Sequence, residues 1–115
     1  MTIKEIYESK LMTAEECVEK HIKSGDKIYL GGLSVSDRVL LKVVENVKNG
    51  NLKHIDIYGN MITDDLGLDD STISPEDLRY HAFFYGGYER AGAANKLVTY
   101  VPLHLRQMEN YVKFL

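Results

Sequence analysis

The chain has 115 residues, 44% of them hydrophobic and 27% charged, with a net charge of −3. That length gives one domain, residues 1–115, with a single modest core, and that charge gives no electrostatic support for binding nucleic acid or an anionic membrane. A lone cysteine, Cys17, excludes an internal disulfide and fits a reducing cytoplasm, and no 18-residue apolar run exists to span a membrane.

The first twelve residues, MTIKEIYESKLM, lack the apolar stretch of a signal peptide. Thr13 and Glu16 spell a capping box at the start of a helix. Ala14, Val18 and Ile22 then fall on one face, and Gly25 is expected just past the helix end. KIYLG (27–31) reads as a strand. Ser34 or Ser36 is expected to cap the next helix, whose residues Val39, Leu40, Val43, Val44 and Val47 form an apolar stripe ended by Gly50. LKHIDIYG (52–59) is a second strand. Residues 60–81 carry many acids and little periodicity, and read as a long surface loop with a helical turn at Pro75–Leu78. HAFFYG (81–86) is a third strand, GYERAGAANK (87–96) a short helix and LVTYV (97–101) a fourth strand. Pro102 is placed at the first position of a last helix, with Leu105, Met108, Val112 and Leu115 on one face. The alternation predicts an α/β domain, a mostly parallel sheet with flanking helices. The last helix keeps its apolar face to the final residue, so a continuation downstream is expected.

Gly31 and Gly32 sit between a strand and a helix, where bare backbone amides can approach an anion. The stretch GGLSVS matches neither the dinucleotide fingerprint nor the P-loop, and a plain tight turn explains it equally. The four histidines are scattered without metal-ligand spacing. Cys17 lies among Glu15, Glu16 and Glu19, which disfavour a thiolate. The acidic stretch TDDLGLDDS lacks the spacing of a calcium loop. Phe83, Phe84, Tyr85 and Tyr88 read as core plus one wall of a cleft.

Three stretches together resemble the acetyl-CoA hydrolase/transferase family, CoA-transferases of the 4-hydroxybutyrate and acetate type. They are KLMTAEECVEKHIKSGDKIYLGG, HAFFYGGYERAG and YVPLHL, in the family's order. The resemblance covers the front part of a family member and implies that fold. It implies that Gly31, Gly32, Leu33, Ser34 and Arg90 line a substrate pocket for an acyl-CoA and a small carboxylate. In such enzymes a glutamate attacks the thioester, passing through an anhydride and a glutamyl-CoA thioester, with backbone amides stabilising the oxyanion. That glutamate belongs to the family's second half, and Glu89 does not match its position. Two positions depart from the family: Asp37 stands where a proline is usual, and Arg106-Gln107 replaces Ser-Glu.

The resemblance therefore implies a fragment or truncated form of an acyl-CoA transferase/hydrolase, inactive alone. The alternatives are one chain of a two-chain enzyme, or a small non-enzymatic α/β binding module. No catalytic residue, metal or tightly bound cofactor is expected; coenzyme A thioester is the substrate of full-length relatives. A cytoplasmic homo-oligomer is expected, without nucleic acid or membrane partners.

Overall fold

The computed structural model describes residues 1–30 and 37–115. Two capped helices open the chain: α1, Ile3–Lys10, and α2, Ala14–His21. Each starts with a reciprocal Thr–Glu box. Glu5 N–H donates to Thr2 Oγ1 and Thr2 N–H to Glu5; Glu16 N–H donates to Thr13 Oγ1 and Thr13 N–H to Glu16. The second box is the one expected from Thr13 and Glu16; the first carries the same Thr-x-x-Glu signature at Thr2 and Glu5. α1 buries none of its residues, whereas α2 inserts Val18 into the core.

The remaining elements are β1 (Lys27–Tyr29), α3 (Arg38–Lys48), β2 (Ile55–Gly59), β3 (Leu78–Ala82), α4 (Gly87–Ala93), β4 (Val98–Tyr100), a 3₁₀ turn (Leu105–Gln107) and α5 (Met108–Lys113). The four strands pair in the order β1-β2-β3-β4, every pair parallel. The α/β class read from the alternation is the one observed. Register sets Tyr29 beside Tyr58, Tyr58 beside His81 and His81 beside Thr99.

Side chains alternate across a strand, so the sheet has two unlike faces. Ile28, Ile55, Ile57, Leu78, Tyr80 and Val98 join the main core, together with the stripe of α3 and Val18 of α2. The opposite face carries Tyr58, which clusters with Phe83 and with Met108 of α5. Gly92 of α4 allows that helix to approach β4: a Cβ there would lie 2.5 Å from Val98 Cγ2 and 2.9 Å from Leu68 Cβ.

Several boundaries differ from expectation. Gly25 is not the residue after α2; it lies in the following turn at φ +90°, and its N–H donates to Lys53 O. Ser34 and Ser36 lie outside the described residues, and Asp37 occupies the N-cap of α3 without a side-chain cap bond. β3 begins at Leu78, not His81, because Leu78, Tyr80 and Ala82 alternate inward. The segment 60–77 is not merely a surface loop: Ile62, Leu66, Leu68 and Ile73 are buried in the main core. Pro102 does not start a helix; helical structure begins three residues later, so Leu105 is exposed and only Met108 of the expected face is buried.

Candidate functional site at the carboxyl edge of the sheet

In open α/β sheets, ligands bind outside the carboxyl ends of the strands. That edge is built here from Leu30 after β1, Gly59–Met61 at the end of β2, Phe83–Gly86 after β3, and Tyr100–Val101 at the end of β4. The ladder runs past the strands proper: Leu30 N–H donates to Tyr58 O, Phe83 N–H to Gly59 O, Phe84 N–H to Asn60 O and Val101 N–H to Ala82 O. The edge is therefore a firm ledge.

Two buried carboxylates fix the segment following β2. Asp37, 5% exposed, accepts hydrogen bonds through Oδ2 from Thr63 N–H at 3.1 Å, Thr63 Oγ1 at 2.8 Å and Asp64 N–H at 2.9 Å. Glu89, fully buried, accepts from Ile62 N–H at 2.6 Å and from Gly86 N–H at 3.1 Å. The turn at Ile62–Asp64 is thus tied to α3 on one side and to the start of α4 on the other. Charged acceptors make the stronger class of hydrogen bond. Near both lies the Tyr80 phenol. Burial pushes its pKa well above the usual range, and the charges of Glu89 and Asp37 add to this. Its Oη has no hydrogen-bond partner among the described residues. Gly59 makes room for it: a Cβ there would stand 2.5 Å from Tyr80 Oη.

Around this buried centre runs an exposed rim of Met61, Phe84, Tyr85, Tyr88 and Tyr100. Of the expected aromatic core, only Phe83 is buried. The Tyr85 and Tyr100 rings lie 5.5 Å apart, tilted by 45°. Arg90 sets its guanidinium over Tyr85, 5.9 Å from the ring centroid. Of the substrate-binding residues expected from sequence, Arg90 is thereby placed on the rim, while Gly31, Gly32, Leu33 and Ser34 lie outside the described residues. The sequence marks Asp37 and Glu89 only as positions that do not match the family's pattern, and Tyr80 not at all. Glu89 stands three residues after Gly86, the spacing of a capping box, which was the available signal. Tyr80 carried none.

The other polar features lie apart from this edge. His81 Nε2 pairs with Asp56 Oδ1 at 2.9 Å, and Tyr58 stacks on the imidazole at 4.3 Å between centroids. Burial raises the Tyr58 phenol, with Asp56 and Tyr111 adding to it. A cleft of about 310 Å³ lined by His54, Asp56, Glu76 and Arg79 lies at the opposite, amino end of β2 and β3. A cleft of about 420 Å³ lies between α2 and α3, bordered by Glu15, Glu19, Asn46 and Asn51. Among the described residues no group of His, Cys, Asp and Glu is placed to hold a metal ion, and no helix is long and apolar enough to cross a membrane.

No family model matches the chain. Over 113 residues, 98% of its length, it is 26% identical to the butyryl-CoA:acetate CoA-transferase of Anaerostipes caccae, of which it covers 25%. Its fold matches that of RipA from Yersinia pestis with a TM-score of 0.73 at 24% identity, covering 94% of this chain and 27% of RipA. A RipA variant aligns with a TM-score of 0.75 over 96% of this chain. The chain is thus distantly CoA-transferase-like in sequence, carries the fold of the RipA segment it matches, and spans about a quarter of the length of these relatives.

Proposed function

We propose that this chain forms the front part of an enzyme that transfers or hydrolyses the acyl group of an acyl-CoA, and that it does not turn over alone. The reading rests on the likeness to a CoA-transferase sustained over 98% of the chain. The chemistry of the edge supports it. A rim of apolar and aromatic side chains suits an acyl-pantetheine arm, and Gly31–Ser34, which the family resemblance assigns to the pocket, would line the acyl or carboxylate end. Neither buried carboxylate is fit to attack a thioester. Glu89 has no exposed surface and both its oxygens accept backbone N–H groups, and Asp37 is committed to Thr63 and Asp64. A covalent route needs a free carboxylate, which the second half of the protein or a partner chain would supply.

The test is an assay of the purified chain with butyryl-CoA and acetate. No transfer and no thioester hydrolysis are expected, since loss of a covalent nucleophile costs several orders of magnitude in rate. A burst of free CoA stoichiometric with protein, abolished by Glu89→Gln, would overturn this. Reading the coding sequence past codon 115 then separates a fragment, which continues in frame, from one chain of a two-chain enzyme, which has a neighbouring frame.

We also propose that the isolated chain pairs with a second copy through α1 and α5. Its surface is 7632 Å², against about 6,400 Å² for a compact monomer of this mass. Its radius of gyration is 14.9 Å, against about 13 Å for this length. The excess is of the order of one partner's share of a standard interface, about 800 Å². Ile3, Tyr7 and Phe114, at 88%, 63% and 90% exposed, are the apolar side chains available to fill it. Sedimentation as a monomer at tens of micromolar, roughly where weak contacts form, would refute the pairing.

A further inference from the structure

We infer that α1 is a docking helix whose receiver is the cleft between α2 and α3 of a second copy, a reading that rests on the self-pairing proposed above and names what α1 meets. Residues 1–13 are exposed throughout, and α1 buries none of its side chains. A helix of eight residues is marginal in water without tertiary contacts. Yet α1 carries the local signs of a helix built to pack. A reciprocal capping box starts it at Thr2 and Glu5. Ile3, Ile6, Tyr7 and Leu11 follow at i, i+3, i+4 and i+8, the apolar stripe that a helix lays into a groove, and all four are exposed. At 3.6 residues per turn, Lys10 falls within that stripe and Lys4 at its margin, with Glu5 and Glu8 on the far side. Lys4 meets only Glu8, at 3.8 Å, both of them well exposed. The docking face of α1 is therefore apolar and basic.

The cleft between α2 and α3 has the complementary character. Its floor is Val18, Ile22 and Leu52, and Glu15 and Glu19 stand along its border. Lys42 of α3, close enough to feel the charge of Glu15, is engaged by Glu45 at 3.0 Å. Asn51 spends its amide on Asn46 Oδ1 at 3.3 Å, and its own Oδ1 accepts nothing among the described residues, which leaves an acceptor for a phenol such as that of Tyr7. A second acidic cleft, lined by Asp65, Asp69 and Tyr88, has less than half the volume, about 190 Å³ against about 420 Å³. The connection carries α1 away from its own cleft. Leu11 and Thr13 are extended, at φ −68°, ψ 131° and φ −72°, ψ 162°, and α1 does not fold back on α2. The chain is drawn out to 49 Å along its longest axis against 25 Å along its shortest. A projecting element on a short connection is what two copies exchange at least cost. Each copy then gives one helix and receives one, a closed two-fold arrangement.

The experiment is sedimentation of the 115-residue chain and its variants over a micromolar dilution series, with hydrogen exchange followed at the α1 amides. Wild type should dimerise, and the α1 amides should slow as it does. Tyr7→Glu should raise the dimer dissociation constant roughly tenfold. Lys10→Glu and Glu19→Lys should each raise it about threefold, and the two together should restore it, which a merely weakened helix would not do. All three positions are exposed, and unchanged circular dichroism establishes that the variants fold. A monomeric wild type with freely exchanging α1 amides would refute both the self-pairing and this receiver. A dimer that Tyr7→Glu or Glu19→Lys leaves untouched, or that the double variant does not restore, keeps the pairing and refutes the receiver. A monomer whose α1 amides are slowed would place the helix in its own cleft and overturn the exchange between copies.

Discussion

The two faces of this sheet are held by different means. Beneath α2, α3 and α4, branched aliphatic side chains interlock and the segment 60–77 adds its own apolar anchors. Beneath α5 the contacts are aromatic and polar: Tyr58 on His81, Phe83 edge-on to Tyr111, Tyr29 Oη on Met108 Sδ, and Lys27 Nζ on Leu115 O. A parallel sheet is normally covered on both faces by its own helices. Here one face carries the core, and the other is covered by six residues of helix and a handful of rings. The lesson is a division of labour. The first face fixes the geometry of the carboxyl edge through Asp37 and Glu89, and the second contributes little to it.

The largest expected effect tests that division directly. Leu40→Ala, at a residue 1% exposed in the main core, should cost about 3 kcal/mol in urea unfolding. Met108→Ala, on the lightly covered face, should cost less than half as much. Equal losses would erase the distinction between the faces. Next comes the tie between them and the edge. Glu89→Gln should cost about 2 kcal/mol, because an amide NH₂ would face one of the two backbone donors that the carboxylate now accepts. Hydrogen exchange at the Ile62 and Gly86 amides should accelerate with it; unchanged exchange would show that the clamp does not hold the turn.

Tyr80→Phe sharpens the comparison by its sign. Removing a buried hydroxyl that has no partner among the described residues should leave stability unchanged or raise it by up to about 1 kcal/mol near neutral pH. The pH dependence follows from burial. The folded phenol titrates above its unfolded value of about 10, so its contribution is present below that pH and lost as pH rises past it. Wild type should weaken through alkaline pH more steeply than Tyr80→Phe; parallel profiles would place the phenol in contact with solvent. The smallest effect belongs to the exposed loop. Hydrogen bonds from the Thr72 side chain and backbone, with Lys48 behind them, hold the Asp70 carboxyl below its usual pKa. That contribution is present above the unfolded pKa of about 4 and is lost as pH falls through the folded value. Asp70→Asn should therefore lower stability slightly at pH 7, where the contribution is fully present, and not at all at low pH, so the acid limb of the stability curve flattens; the loss is small because the carboxyl lies at the surface.

Sequence alone determined the elements whose signals are local. The Thr13–Glu16 box, the stripe of α3 and the β-branched residues of β2 all depend on neighbours a few positions away, and each is found where the pattern puts it. The alternation of strand and helix determined the parallel sheet. Tertiary structure decided what depends on partners distant in the chain. The start of β3 was set by which residues face the core, not by aromatic content. The segment 60–77 looked like a solvated loop because its apolar residues have no period; only the space beside α3 and α4 shows that Ile62, Leu66, Leu68 and Ile73 are anchors. The ties from Asp37 to Thr63 and from Glu89 to Ile62 are not legible in the sequence, since hydrogen bonds spanning 26 and 27 residues leave no trace in spacing. The meeting of Tyr85, Tyr100 and Arg90 likewise arises only when β3 and β4 pair in register, because that pairing alone brings residues fifteen apart in sequence within ring contact.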